Sequence, residues 1–427
     1  MGTKDKKRLA QAVAVAAVSA LALTACGGGG ESEDGKVRLT FAWWGSDDRS
    51  ELTEEIIAAF EEQNPDIDVV GSYSDWNGYW DRLATQTAAG DAPDVIQMDS
   101  QYLREYADRG ALLDLSGVDV SKFDESAVDN GRTEEGLFGI TTGVNSPTIL
   151  ANPAVFEEAG VALPDDTTWT WDDYAEISQQ ISEATDGKYG SSGPSEPLGL
   201  QVWLRQQGKA LTTEEGTLGF DQADAAEYLQ HHLGLMESGS YPEASMLSAD
   251  QTVSVDQSLM GTGQSAMAQY WTNQVSTIAS ASGADIQPLR FPSPTGNAED
   301  AGLFYKASML LSASGQTEHP EEAQQFIDFF VNNVEAGLIG GTERGVPANS
   351  EVREAVMAEL EGPDKVSAEF VEEIEPELGP SEPIPPQGFS ELQNIVFRYE
   401  TEVYFGRQSP EEAAGAMIGE MEQAIAS

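Results

Sequence analysis

The chain has 427 residues, 40% of them hydrophobic and 8% aromatic, which is enough for two or more ordinary domains with proper cores. Its 73 acidic residues against 22 basic give a formal charge of −51, which excludes nucleic acid or an anionic membrane surface as partner, since either would be repelled. A single cysteine, Cys26, excludes disulfides within the chain and any cysteine-built zinc site.

Lys4, Lys6, Lys7 and Arg8 precede an uncharged apolar run over 9–23, the pattern of a secretory signal and too short for a comfortable membrane span. The run ends in Leu23-Thr24-Ala25-Cys26, followed by four glycines. This resembles a bacterial lipoprotein signal, which implies removal of residues 1–25 and a lipid on the Cys26 thiol. The other explanation is an ordinary cleavage site with a chance cysteine. Residues 26–35 then form a lipidated cysteine and a flexible tether.

The first strand, over 37–41, alternates Val37, Leu39 and Phe41 with polar residues and runs into Trp43-Trp44-Gly45-Ser46-Asp47-Asp48. A helix over 51–64 carries Leu52, Ile56, Ala59 and Phe60 on one face and stops at Pro65. The next strand covers 67–70, and strand, helix, strand in this order implies a right-handed parallel unit. Ser74, Asp75, Trp76, Tyr79 and Trp80 gather where that strand finishes and a second helix begins. A turn at 90–93 leads to a short apolar strand over 95–98. Asp99 and Ser100 stand at its carboxyl end, where a helix starts that Gly110 closes. Strands of open α/β sheets present polar groups to ligands at such ends, and a helix cap would serve those two residues equally well.

From 137 to 161 an apolar strand, a Thr141-Thr142-Gly143 turn and Asn145 before a second strand suggest a first crossing between lobes. Helices follow over 171–184 and 221–237, with a Gly/Ser/Pro loop at 187–197 and Trp203 within 198–207. The stretch 260–271 ends in an aromatic and amide cluster, Gln269-Tyr270-Trp271-Thr272-Asn273. Phe304-Tyr305-Lys306 enters a strand over 308–312, a helix covers 320–333, and the Gly/Pro-punctuated loop 340–347 carries Arg344 on a rim. Two helices finish the chain, separated by the proline-rich 376–386.

Four ordered stretches, GDAPDVIQMDSQYLREYADRGALLDL, GVNSPTILANPAVFEEAGV, GTGQSAMAQYW and RQSPEEAA, resemble the extracellular solute-binding proteins of bacterial carbohydrate ABC importers, the group that includes maltose-binding protein. The resemblance implies a two-lobe α/β fold of type II with a hinge of crossing strands, closing on a mono- or oligosaccharide. It implies delivery to a permease rather than chemistry, from a lipid-anchored monomer on the extracellular face of the membrane, with no cofactor or metal. The N-terminal lobe is expected over 36–143 with 307–347, and the C-terminal lobe over 144–306 with 348–427. Ligand contacts carried over fall on Asp47 or Asp48, on Asp99 and Ser100, on Asn145, on Gln201 or Trp203, and on Trp271. The family's tyrosine-asparagine is Ala151-Asn152 here, and no tryptophan lies in the last third.

A pyranose offers apolar C–H faces and a rim of hydroxyls, so it needs flat aromatic surfaces with fixed amide, carboxylate and guanidinium partners. Trp44, Trp76, Trp203 and Trp271, with Asp47, Asp99, Ser100, Asn145, Gln201, Asn273 and Arg344, supply both kinds of group. Trp43 and Trp44 must face opposite ways if the strand continues, and Trp44 is the one expected in the cleft. Trp80 and Trp169 are expected to pack in cores. The competing class is a secreted glycoside hydrolase, because a carboxylate pair is easily drawn from so many acids. The three histidines offer no nucleophile's base or metal spacing: His231 and His232 are adjacent, and His319 precedes a helix.

Overall fold

The computed structural model describes residues 35–45, 47–195, 197–379 and 382–426. The signal segment, Cys26 and the tether up to residue 34 lie outside the described residues. Strand β1 (Val37–Trp44), helix α1 (Asp47–Gln63), strand β2 (Ile67–Ser74), helix α2 (Trp76–Ala89), strand β3 (Val95–Met98) and helix α3 (Ser100–Asp108) follow the order that the periodicity predicts. β1 pairs in parallel with β2 from Val37↔Ile67 to Trp44↔Ser74, and with β3 at Phe41↔Val95. The three strands therefore end on one edge.

The pleat divides β1 between two cores. Leu39, Phe41 and Trp43 pack with Phe60, Phe326 and Phe330 on one face of the sheet. Ala42 and Trp44 pack with Tyr79, Trp80 and Met98 on the other.

The main sheet has six strands in the order Val346–Pro347, Ile140–Asn145, Lys306–Ala313, β3, β1, β2, and the second has four, Gln287–Leu289, Pro147–Ala151, Ser265–Trp271 and Tyr189–Ser191. Only Ser146 separates the strand of one sheet from that of the other. Its buried backbone is held by Thr272: the Ser146 N–H donates to Thr272 Oγ1 at 3.1 Å, and the Thr272 N–H donates back to Ser146 O at 3.0 Å. The chain returns beside this point, where Lys306 pairs with Asn145. Two adjacent crossings of this kind make a hinge.

Three local expectations need correction. The segment Thr141-Thr142-Gly143 is not a turn but the middle of the Ile140–Asn145 strand. Gly143 is there because a Cβ would lie 2.3 Å from the Arg344 carbonyl oxygen, so the glycine marks a close backbone approach rather than a bend. The loop at 187–197 contains a strand, Tyr189–Ser191, which borrows its order from parallel pairing with Ser265–Trp271. The C-terminal region holds four helices, Ser350–Met357 and Gly362–Ile374 before the proline-rich stretch and Leu392–Tyr404 and Pro410–Ile425 after it. Gly406, at φ 64°, and the Ser409 cap with its Glu412 partner divide the last two.

His231 and His232 lie on the helix Gln222–Glu237 under the second sheet's core. His232 is fully buried, with Nδ1 3.0 Å from the Tyr241 hydroxyl, and the His231 ring lies 4.7 Å from that of Trp203. Burial disfavours the charged form, so the His231 pKa falls to about 4 and that of His232 well below its usual value. Both rings take up protons more readily in the unfolded chain. Stability is therefore complete above about pH 6.5 and is lost as the pH falls, by about 2 kcal/mol from His231 alone near pH 5. Urea midpoints across that range should show this slope, and His231→Gln should flatten it. An identical slope in the variant would contradict the assignment.

Candidate functional site

A cavity of ≈330 Å³ lies between the two sheets, within the size range of small-molecule sites. One wall is the carboxyl end of β3. The Asp99 carboxylate accepts the Gln101 N–H at 3.0 Å and caps α3, and Asp99 and Ser100 both line the cavity. Capping and cavity lining thus coincide in one side chain.

The opposite wall is the carboxyl end of Ser265–Trp271. Trp271, half-buried, meets the Phe304 ring edge-on at 5.9 Å, and the Lys306 ammonium lies 5.2 Å from its centroid. Gln274 fixes the corner by accepting the Trp271 N–H at 3.0 Å. Gln201, from the helix Leu198–Arg205, completes this wall.

Tyr305 and Lys306 at the hinge form the floor, and Glu382 to Pro385 run across the top. Glu382 is ion-paired with Arg205 of the second lobe, while Ile384 packs into the aromatic core of the first. The strap therefore touches both lobes. Lys306 makes no ion pair among the described residues, so its ammonium and the Asp99 carboxylate line the cavity without an ion-pair partner.

The structure gathers Asp99, Ser100, Gln201 and Trp271 around this space and distributes the other expected residues elsewhere. Trp44 and Trp76 belong to a packed cluster, 5.0 Å apart and edge-to-face, next to Trp80 stacked on Tyr102 at 3.9 Å. Asp47 is exposed and accepts the Tyr73 hydroxyl at 2.8 Å. Asn145 is buried at the crossing, Asn273 is exposed, and Trp203 packs among helices.

Arg344 is not on a rim. It is 6% exposed, and its guanidinium donates to Gln97 Oε1 at 2.9 Å and Thr53 Oγ1 at 2.8 Å. Burial, with Arg49 nearby, pulls its pKa down to about 9, which leaves it charged at neutral pH. Gly and Pro punctuation marks turns equally well whether the side chain between them points outward or inward, which is why the loop misled.

Sequence reasoning also passed over Lys306, Gln274 and the strap. Lys306 is one residue past an aromatic pair already noted. The proline-rich strap has no periodicity and reads as a linker.

Asp99→Ala should lower stability by about 1 kcal/mol through loss of the cap, whereas Asp99→Asn should keep the cap and still weaken ligand binding. Melting curves and titrations on the two variants separate the roles. Full affinity in Asp99→Asn would leave only the cap.

Among the described residues no group of His, Cys, Asp and Glu could hold a metal ion, and no helix is long and apolar enough to cross a membrane. A solved extracellular solute-binding protein of family 1 from Alicyclobacillus acidocaldarius is 28% identical, with a TM-score of 0.75 over 92% of this chain and 99% of its own. An uncharacterized lipoprotein of Streptomyces antibioticus is 28% identical over 333 residues, 74% of this chain and 71% of its own. An arabinooligosaccharide-binding protein of Halalkalibacterium halodurans is 26% identical over 232 residues, 50% of this chain and 51% of its own. The two-lobe α/β architecture is thus the type II solute-binding fold. Residues 43–336, with strands of both sheets, match the model of the bacterial extracellular solute-binding protein family, a family of binding proteins rather than enzymes, and the chain belongs to it.

Proposed function

We propose that the protein is a lipid-anchored receptor that captures a sugar between its lobes and hands it to the permease of an ABC importer. The observation that carries this is the cavity itself: an indole platform, Trp271, faces a wall of hydroxyl, amide and carboxylate groups from the other sheet. Its two needs, an apolar face and a polar rim, are those of a pyranose. The lobes are 36–143 with 307–347 and 144–306 with 348–427, turning on Asn145 to Pro147 and on Tyr305 and Lys306. Ligand bridges the walls, the lobes close, and the closed shape is what the permease recognises.

The arabinooligosaccharide-binding relative supports a sugar as ligand, and the lipoprotein relative supports anchoring through Cys26. Incubation with labelled neutral oligosaccharides tests the reading. The sugar should be retained by the protein and recovered intact, and turnover products would overturn the proposal.

A further inference from the structure

The strap across the top of the cavity is Glu382-Pro383-Ile384-Pro385-Pro386, in which every residue is a proline or precedes one. Proline fixes its own φ and drives the residue before it into extended backbone, so this segment is stiff and already stretched. Glu382 fastens it to the second lobe, where its carboxylate is ion-paired with Arg205 and both side chains are largely buried. Arg205 is itself held in place: its Nε donates to Gly302 O at 3.0 Å, and its guanidinium lies 4.5 Å from the Phe304 ring centroid. Just upstream, the Gly379 N–H donates to Leu303 O at 3.0 Å.

Ile384 fastens the strap to the first lobe. It is 6% exposed and packs in the aromatic cluster that includes Trp44, Tyr79, Trp80 and Tyr106. Every other buried member of that cluster comes from 36–143 or 307–347, so among the described residues Ile384 is the second lobe's one buried side chain in it. The two anchors are two residues apart. A fully extended chain reaches about 3.6 Å per residue and a polyproline-like one about 3.1 Å, so the strap can lengthen by only about 1 Å before one anchor lets go. A hinge rotation at 145–147 and 305–306 wide enough to open the ≈330 Å³ cavity exceeds that. Glu382 is locked by charge and Ile384 by apolar contact, so Ile384 is the anchor that leaves.

We propose that the strap is a clasp: Ile384, seated in the first lobe's aromatic cluster, holds the lobes together through the chain's own groups and withdraws each time the cleft opens. Because this contact belongs to the closed shape with or without a ligand, it lowers the open fraction in both conditions. Capture and release then slow together, and affinity stays nearly the same. The strap is a gate on exchange rather than a source of affinity.

The test is small-angle X-ray scattering of the wild type, Ile384→Ala, Ile384→Val and Glu382→Ala, each without ligand and each first shown to be folded by circular dichroism. Ile384→Ala and Glu382→Ala should both give a larger radius of gyration, since unfastening either anchor frees the lobes. Ile384→Val keeps most of the apolar contact and should match the wild type. A radius equal to wild type in both alanine variants would overturn the clasp and leave Ile384 as a cover for the aromatic cluster. Expansion in Ile384→Ala alone would overturn it as well, by marking a loosened first lobe instead. Because the scattering needs no ligand, it decides the clasp even where the sugar reading fails. Stopped-flow kinetics supply the second readout, with the neutral oligosaccharide that raises the melting temperature most as probe. Capture and release should each be about five- to tenfold faster in Ile384→Ala, with the dissociation constant within about twofold of wild type. Faster release with unchanged capture would overturn the gate by making Ile384 a ligand contact.

Discussion

Trp271→Ala is expected to weaken binding of the captured sugar by about 2 kcal/mol or more, roughly thirtyfold, with little change in the melting temperature of the empty protein. Trp271 is the last residue of its strand, and its ladder partner Pro147 is reached through the backbone, which alanine keeps. The ring's own contacts, Phe304 at its edge and Lys306 over its face, belong to the cavity. The half-buried ring sits at the margin of the second sheet's core, so truncation removes a platform from the ligand and leaves that core's fully buried side chains in place. Trp271→Phe keeps a smaller flat surface and should recover part of the loss. Titration calorimetry on the three proteins checks this, and affinity in Trp271→Ala equal to wild type would take the indole out of the site.

Arg290→Met should have the largest effect on folding, a loss of about 3–5 kcal/mol, or roughly 4–6 °C in melting temperature for a chain of this length. Arg290 is 3% exposed and binds three carboxylates. Glu377 accepts from Nε at 2.6 Å and from Nη2 at 2.8 Å, Glu373 accepts at 3.1 Å, and Asp166 at 3.2 Å. Those partners, foremost Glu377 accepting the guanidinium's hydrogen bonds, raise the guanidinium's pKa further above its usual value. The cluster fixes the strand Gln287–Leu289 and the loop at 166 to the helix Gly362–Ile374 and the turn behind it. Methionine would leave three carboxylates crowded with no counterion. Their repulsion is also why the double variant Arg290→Met with Glu377→Met should regain part of the loss. A shift within about 0.5 kcal/mol, typical of surface substitutions, would contradict this.

Much of the architecture is legible in the sequence because periodicity and punctuation report local structure directly. The predicted helix over 171–184 matches Trp171–Ala184, begun by a capping box at Thr170 and Asp173. Alternation in β1 places Trp43 and Trp44 on opposite faces, and both faces prove to be covered. The Trp44 face is covered by the neighbouring helices α2 and α3, and only the Trp43 face draws also on a helix far along the chain, Pro320–Asn332, which local sequence does not report.

The site is less legible for the same reason. Asp99, Ser100 and Trp271 stand at ends of elements, where local sequence says a side chain emerges into space, whereas Gln201 lies inside the helix Leu198–Arg205. Trp203 shares that helix and Arg344 stands just before the short strand Val346–Pro347, and tertiary packing turns both inward.

Sugar capture between the lobes is tested most directly by melting the protein against a library of neutral mono- and oligosaccharides. Some members should raise the melting temperature in a saturable way, equivalent to about 2.7 kcal/mol at a hundredfold excess over the dissociation constant. No shift with any saccharide would contradict sugar capture.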